Sequence, residues 1–183
     1  MLEEMLIRYC APTLAGLKTG SLFRCAFSST DALCAQIRCF NRRLIGKGLR
    51  ILPLKFGEKT ALIYVYRPAK LQNDLSVGEA SALLEENGYV CCTPSKCINR
   101  LIGRLREQTD FPHEIGLFLG YPPEDVRGFI ENKAQRCKYV GCWKVYGDEK
   151  KARQLFEQYK KCTEIYTRCH GAGRSLDKLT IPM

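Results

Sequence analysis

The chain has no uninterrupted apolar run longer than Ala61 to Tyr66, far short of the roughly 20 residues a spanning helix needs, which argues against an integral membrane protein and against membrane insertion. Its N-terminus, MLEEMLIRYC, carries Glu3 and Glu4 where a secretory signal would carry Lys or Arg, and it lacks a long apolar h-region. A cytoplasmic location is the expectation. Histidine is scarce, with two in the whole chain, so imidazole chemistry has few places to occur. No cysteine pair has the C-x2-C spacing that marks zinc or iron–sulfur ligation, and no metal site is assigned. Internal repeats, low-complexity segments and linkers rich in Pro, Gly or Ser are also lacking.

What is there suits a globular protein. The 183 residues, 45% hydrophobic and 26% charged, fit one domain over 1–183, able to bury roughly two thirds or more of its unfolded surface. Eleven cysteines cannot all pair internally, and without an export signal reduced thiols are the default. The net charge of +10 is uneven. Residues 1–67 hold eleven basic and four acidic side chains, 68–134 hold seven and ten, and 135–183 hold eleven and five. Basic ends attract anions of many kinds.

Periodicity predicts a strand over 21–28, then a helix through ALCAQIRCFNRRLIG capped by Ser29, Thr30 or Asp31 and ended by Gly46 and Gly48. Ile51 to Lys55 and Ala61 to Tyr66 form a hairpin signature in which Pro53 confines the first run to a sheet edge. Helices are expected over 69–74, 77–87 and 95–107, the last with Ile98, Leu101, Ile102 and Leu105 on one face, and a short strand over 89–92. Tyr139 to Tyr146 reads as one strand. From Asp148 a helix places Ala152, Leu155, Phe156, Tyr159, Thr163 and Tyr166 in a stripe. Residues 111–134 read as a helical corner and 174–183 as a loosely held tail. The fold class is α+β or irregular α/β, a mixed sheet of about four to five short strands with helices packed against it.

Within the corner, FPHEIGLFLGYPPEDVRGFI has the spacing of a helix-turn-helix. A DNA reader, however, presents the start of its second helix to phosphates and base edges, and here those residues are Glu124 and Asp125. Their carboxylates favour the positive end of the helix dipole instead, so sequence-specific nucleic-acid binding is disfavoured.

The segment CAPTLAGLKTGSLF, residues 10–23, offers an anion loop: Gly16 and Gly20 to expose backbone N–H groups, Lys18 for charge, and Thr19 and Ser21 as donors. Its glycine spacing is not that of a Walker A loop, and an ordinary turn before a strand accounts for the same residues. Arg67 at the end of the hairpin would complete the site. Cys10 and His113 suggest a nucleophile and its base, with Glu114 or Asp125 to orient the ring. Lys96, Arg100 and Arg104 step by four along one helix, usually the mark of a solvated face. Cys91, Cys92 and Cys97, Cys137 and Cys142, and Cys162, Cys169 and His170 could ligate a metal or be idle thiols. Cys34 and Cys39 point about 140° apart on a helix and would not chelate together.

On the motifs CAPTLAGLKTGSLF, LIYVYRP, FPHEIGLFLGYPPEDVRGFI and CWKVYGDEKKA, which span nearly its full length, the chain resembles an uncharacterised bacterial family found mainly in anaerobic Gram-positive organisms and known as a domain of unknown function. The resemblance implies a cytoplasmic bacterial protein and supplies no reaction, cofactor or active site. Cys142 stands where a small or aromatic residue is expected, which puts a Cys137–Cys142 metal site in doubt. The company that relatives keep, iron-uptake and flavodoxin-type proteins, implies a redox or iron-handling partner.

Two functions follow as expectations. One is a small ligand-binding or accessory protein with a site for an anionic or phosphorylated ligand at Lys18, Thr19, Ser21 and Arg67. The other is a thiol enzyme with Cys10 as nucleophile, His113 as base and Glu114 behind it. Neither identifies a cofactor.

Overall fold

The computed structural model describes residues 2–90, 93–107 and 110–183. The expected strand over 89–92 lies partly outside these, and Tyr89 and Val90 pair with no strand. The chain forms two compact units, one of residues 1–69 with 159–183 and the other of 70–158.

The first unit opens with a helix the periodicity reading left unassigned, α1 (Leu2–Leu14). Leu2, Leu6, Ile7, Cys10, Ala11 and Leu14 recur at three- and four-residue spacing and are all buried, so hydrophobic burial on one face selects the helix. Pro12 lies inside its last turn, where it has no N–H to donate, and the Pro12 carbonyl accepts the N–H groups of Leu17 and Lys18. Strand β1 (Gly20–Ala26) follows, then α2 (Thr30–Leu44), whose cap is Ser29 accepting from the Ala32 N–H. Strands β2 (Arg50–Phe56) and β3 (Thr60–Tyr66) form the hairpin. The sheet order is β1-β3-β2, antiparallel throughout. Pro53 therefore does sit on an edge strand, next to an irregularity in register between Pro53 and Lys55. Ala61, Ile63 and Val65 of β3 face a core shared with α1, Leu33 and Ile37 of α2, and Tyr166.

The second unit takes in most of α3 (Pro68–Ser76), then α4 (Gly78–Glu86), α5 (Pro94–Glu107), the short α6 (Ile115–Phe118), α7 (Pro123–Glu131), β4 (Tyr139–Val140) and β5 (Lys144–Val145). The single strand expected over 139–146 is thus a two-stranded antiparallel hairpin. A Cβ on Gly141 at its turn would meet the Phe156 ring at 2.2 Å, so only glycine lets the chain double back there. The expected mixed sheet resolves into two antiparallel ones within an α+β fold.

Helices α6 and α7 meet at a tight corner. Gly120 turns the chain in the left-handed region at φ 74°, and Gly116 brings α6 against α7, where a Cβ would lie 2.7 Å from Val126 Cγ2. Helix α8 (Glu149–Gly171) starts in this unit and ends in the first. Ala152, Phe156, Tyr159, Cys162 and Tyr166 are its buried stripe, with Cys162 taking the place expected of Thr163. The tail expected to hang loosely over 174–183 is anchored instead. It forms α9 (Leu176–Leu179), buries Leu176, Leu179 and Thr180, and joins α1 through the Ile181 N–H to the Leu14 carbonyl at 3.1 Å.

Candidate functional site

Arg67 meets the loop expected to hold an anion, but its donors are already in use. The Arg67 N–H donates to the Thr19 carbonyl at 2.9 Å, and Ser21 Oγ lies 2.9 Å from Thr13 Oγ1 with both buried. The Arg67 side chain is 1% exposed. Its Nε donates to the Thr13 carbonyl at 2.7 Å and Nη1 to the Lys47 carbonyl at 3.0 Å, while Nη2 serves the carbonyls of Leu14 at 2.5 Å and Ile181 at 2.8 Å. Thr13 and Leu14 close α1, so the guanidinium sits on the negative end of that helix and satisfies carbonyls the helix leaves orphaned. Burial still pulls the guanidinium below its ordinary value. The loop's own N–H groups at Gly16, Leu17 and Lys18 turn inward to Thr13 and Pro12. The expected phosphate fork is a clasp between backbone segments.

Cys10 is likewise placed against its expected role. It is fully buried on α1, and desolvation pushes its thiol up to about 12, against smaller opposing effects of the Lys18 charge and the Ser21 hydroxyl. A thiol so buried, with its ionisation opposed, lacks the exposed thiolate that a nucleophilic cysteine needs. His113 belongs to the other unit. Among the described residues no three His, Cys, Asp or Glu side chains are grouped so as to hold a metal ion, and the nine described cysteines form no disulfides with one another. Cys91 and Cys92 of the first candidate trio lie outside the described residues.

The second unit holds a cavity of about 550 Å³ bordered by Asn87, Arg104, Glu107, Asp110 to Glu114 and Ile130, within the size range of small-molecule sites. Glu114 lies at the wall, 1% exposed. Its Oε1 accepts from the Tyr89 hydroxyl at 2.8 Å and lies 2.9 Å from Arg104 Nε. The second contact is one of charge alone: Arg104 Nε, though buried, makes no hydrogen bond of acceptable angle. Arg104 also donates through Nη1 to the Asn87 carbonyl and lies over the Tyr89 ring, 5.6 Å from its centre. His113 is exposed on the rim, its ring edge-on to Phe129 with centres 4.9 Å apart. Glu114 is therefore engaged with Tyr89 and Arg104.

Arg104 corrects the expectation of a solvated stripe, because its side chain is only 14% exposed. The four-residue step from Arg100 was visible in the sequence. The buried carboxylate it faces lies beyond the end of α5, across a turn that spacing does not predict. Asp125 is the second residue the sequence misjudged: buried, it accepts the Trp143 indole N–H and the backbone N–H groups of Tyr146 and Gly147, each at 2.7 Å. With α6 a single turn long and Asp125 directed inward, the corner is a packing device.

The fold and cavity define an α+β protein with a polar pocket built around a buried Arg–Glu–Tyr group, and among the described residues no helix is long and apolar enough to cross a membrane. The chain belongs to the family described as "Protein of unknown function (DUF3793)", whose model matches residues 6–180. Comparison with curated proteins and with solved structures gives no match.

Proposed function

We propose that the protein binds a small organic molecule in the second unit's cavity, and that the ligand carries an amine or another cationic, hydrogen-bond-donating group. The observation that carries this reading is the buried Glu114 carboxylate on the cavity wall, held by Tyr89 and Arg104. Taking a charged pair out of water is costly, and such arrangements concentrate at functional sites. Glu114 balances Arg104, which leaves Glu107 and Asp110 as acidic excess on the border and Phe111 as an exposed aromatic face. An amine suits the carboxylates and the ring together. The alternative of a phosphorylated ligand at Lys18, Thr19, Ser21 and Arg67 draws less support, since the Arg67 donors serve carbonyls. Described cysteines outside disulfides suit a reducing, cytoplasmic setting.

The test is a thermal-shift panel of small amines, amino acids and phosphorylated metabolites, followed by titration calorimetry of hits. Amines should raise the melting temperature of the wild type, and Glu107→Gln with Asp110→Asn should abolish that rise. Stabilisation by phosphates alone, or amine binding indifferent to both substitutions, would refute the reading.

A further inference from the structure

We infer that the surface formed by residues 132–153 is a docking site for the phosphate backbone of nucleic acid, independent of base sequence. Charge within the second unit is segregated. Residues 70–131 carry six basic and ten acidic side chains, whereas 132–153 carry seven basic and two acidic. The contacts that follow draw the basic set together in space. Lys138 Nζ donates to the Gly147 carbonyl and Lys144 Nζ to the Ala134 carbonyl, both at 2.8 Å. The Arg153 guanidinium lies 3.6 Å over the Tyr139 ring. The loop after α7, the β4–β5 hairpin and the first turn of α8 are thus held together; Arg153 is paired with Glu149 at 2.8 Å, and the remaining excess of charge on these segments is cationic.

Four of these cations stand where local physics favours another residue. Lys133 and Arg136 occupy the left-handed region at φ 47° and 57°, with Ala134 beside them at 61°. Lys133 directly follows the cap Asn132 of α7, the position where glycine is the usual residue. Lys150 and Lys151 sit in the first turn of α8, whose cap is Asp148 accepting the Lys151 N–H at 3.0 Å. The positive end of a helix disfavours cations. All four side chains are exposed, and none has a salt-bridge partner among the described residues. Local rules broken together at one surface mark a functional site.

The geometry favours a phosphate backbone over a base-reading mode. Tyr139 has Arg153 on its ring and Phe156 stacked at 6.1 Å, and Trp143 is buried, so neither ring is open for base stacking. What remains is a set of exposed point charges, which reads phosphates and not sequence.

The experiment uses the full chain and a labelled single-stranded oligonucleotide of about 20 nucleotides, followed by anisotropy between about 50 and 200 mM salt. The variant Lys133→Gly, Arg136→Gly, Lys150→Glu, Lys151→Glu removes the cations while relieving backbone and dipole conflicts. It should melt higher than the wild type, yet bind at least about tenfold more weakly, with a salt slope shallower by about 0.7 for each lost contact. The control Arg38→Gln, Arg42→Gln, on the exposed side of α2, should leave the slope unchanged. No binding by the wild type at low salt, or loss in the control alone, overturns the proposal. So does equal or tighter binding of polyglutamate or phosphatidylserine vesicles through the same four residues, which would assign the face to an acidic protein or a membrane.

Discussion

The Trp143 indole N–H donates to Asp125 Oδ2 at 2.7 Å, while Asp125 Oδ1 takes the backbone N–H groups of Tyr146 and Gly147. One carboxylate in the first turn of α7 thereby fixes the hairpin strand β5, the approach to α8 and the ring that packs edge-on to Phe156 with centres 4.5 Å apart. A motif that resembles a DNA-reading helix from its spacing is built around an acid turned inward.

Asp125→Ala should therefore destabilise the protein by about 3 kcal/mol, because it strands one buried and two partly buried donors at once. Asp125→Asn should recover part of this: its oxygen can serve the two backbone N–H groups, but its amide would face the indole donor to donor. Denaturant midpoints decide the matter. An alanine variant within about 0.5 kcal/mol of wild type, the range of ordinary surface changes, would remove Asp125 from this role.

Much of the fold was legible because periodicity reports directly on burial. The β2–β3 hairpin, the edge position of Pro53, the apolar face of α5 and the stripe on α8 all follow from which side of an element meets the core. Helix α1 carries the same signal at Leu2, Leu6, Ile7, Cys10 and Leu14, but Pro12 within it and the Gly residues that follow interrupt the helical pattern there. The site was less legible for a physical reason. Arg67, Arg104, Glu114 and Asp125 were read as solvent-facing charges or as groups serving a ligand or a catalytic ring, yet each is anchored by partners that only the tertiary fold supplies.

Arg67 gives the second prediction. Arg67→Lys keeps a positive charge but cannot reach the carbonyls of Thr13, Leu14, Lys47 and Ile181 with one ammonium. It should cost about 2–4 kcal/mol, the sum of lost charged hydrogen bonds offset by partial rescue. Hydrogen exchange at the Ile181 N–H, bonded to Leu14, should quicken as the tail loosens. If Arg67 instead served an anion, the variant would lose sulfate or phosphate binding while melting as the wild type does.

Thiol reactivity gives the third. Cys39 and Cys142 are exposed, whereas Cys10, Cys25, Cys97 and Cys162 are buried. Among the described cysteines, alkylation near pH 8 followed by peptide mass spectrometry should label Cys39 and Cys142 first and Cys10 only on global unfolding. Rapid, selective labelling of Cys10 in the native protein would restore it as a nucleophile.

The last prediction concerns alkaline pH. Burial pushes Cys10 up to about 12 from 9.0, Cys162 to about 11 from 9.0, and Tyr166 to about 12 from 10.0. Each group stays protonated in the folded state over a range where the unfolded chain has released its proton. Their stabilising contribution is complete below about pH 9 and is lost as pH rises toward 12, since the unfolded state then binds fewer protons. Each titrating group adds a slope of about 1.4 kcal/mol per pH unit within its window. Loss of lysine charge on a chain of net charge +10 eases self-repulsion and acts in the opposite sense, so a fall in stability identifies the buried acids. Urea unfolding from pH 8 to 11 should show that fall, and Cys10→Ala with Tyr166→Phe should flatten it even if both lower stability at pH 8. A wild-type curve with the same pH dependence as the Cys10→Ala, Tyr166→Phe variant would mean that these groups are solvated in the native protein, contrary to the core described for the first unit.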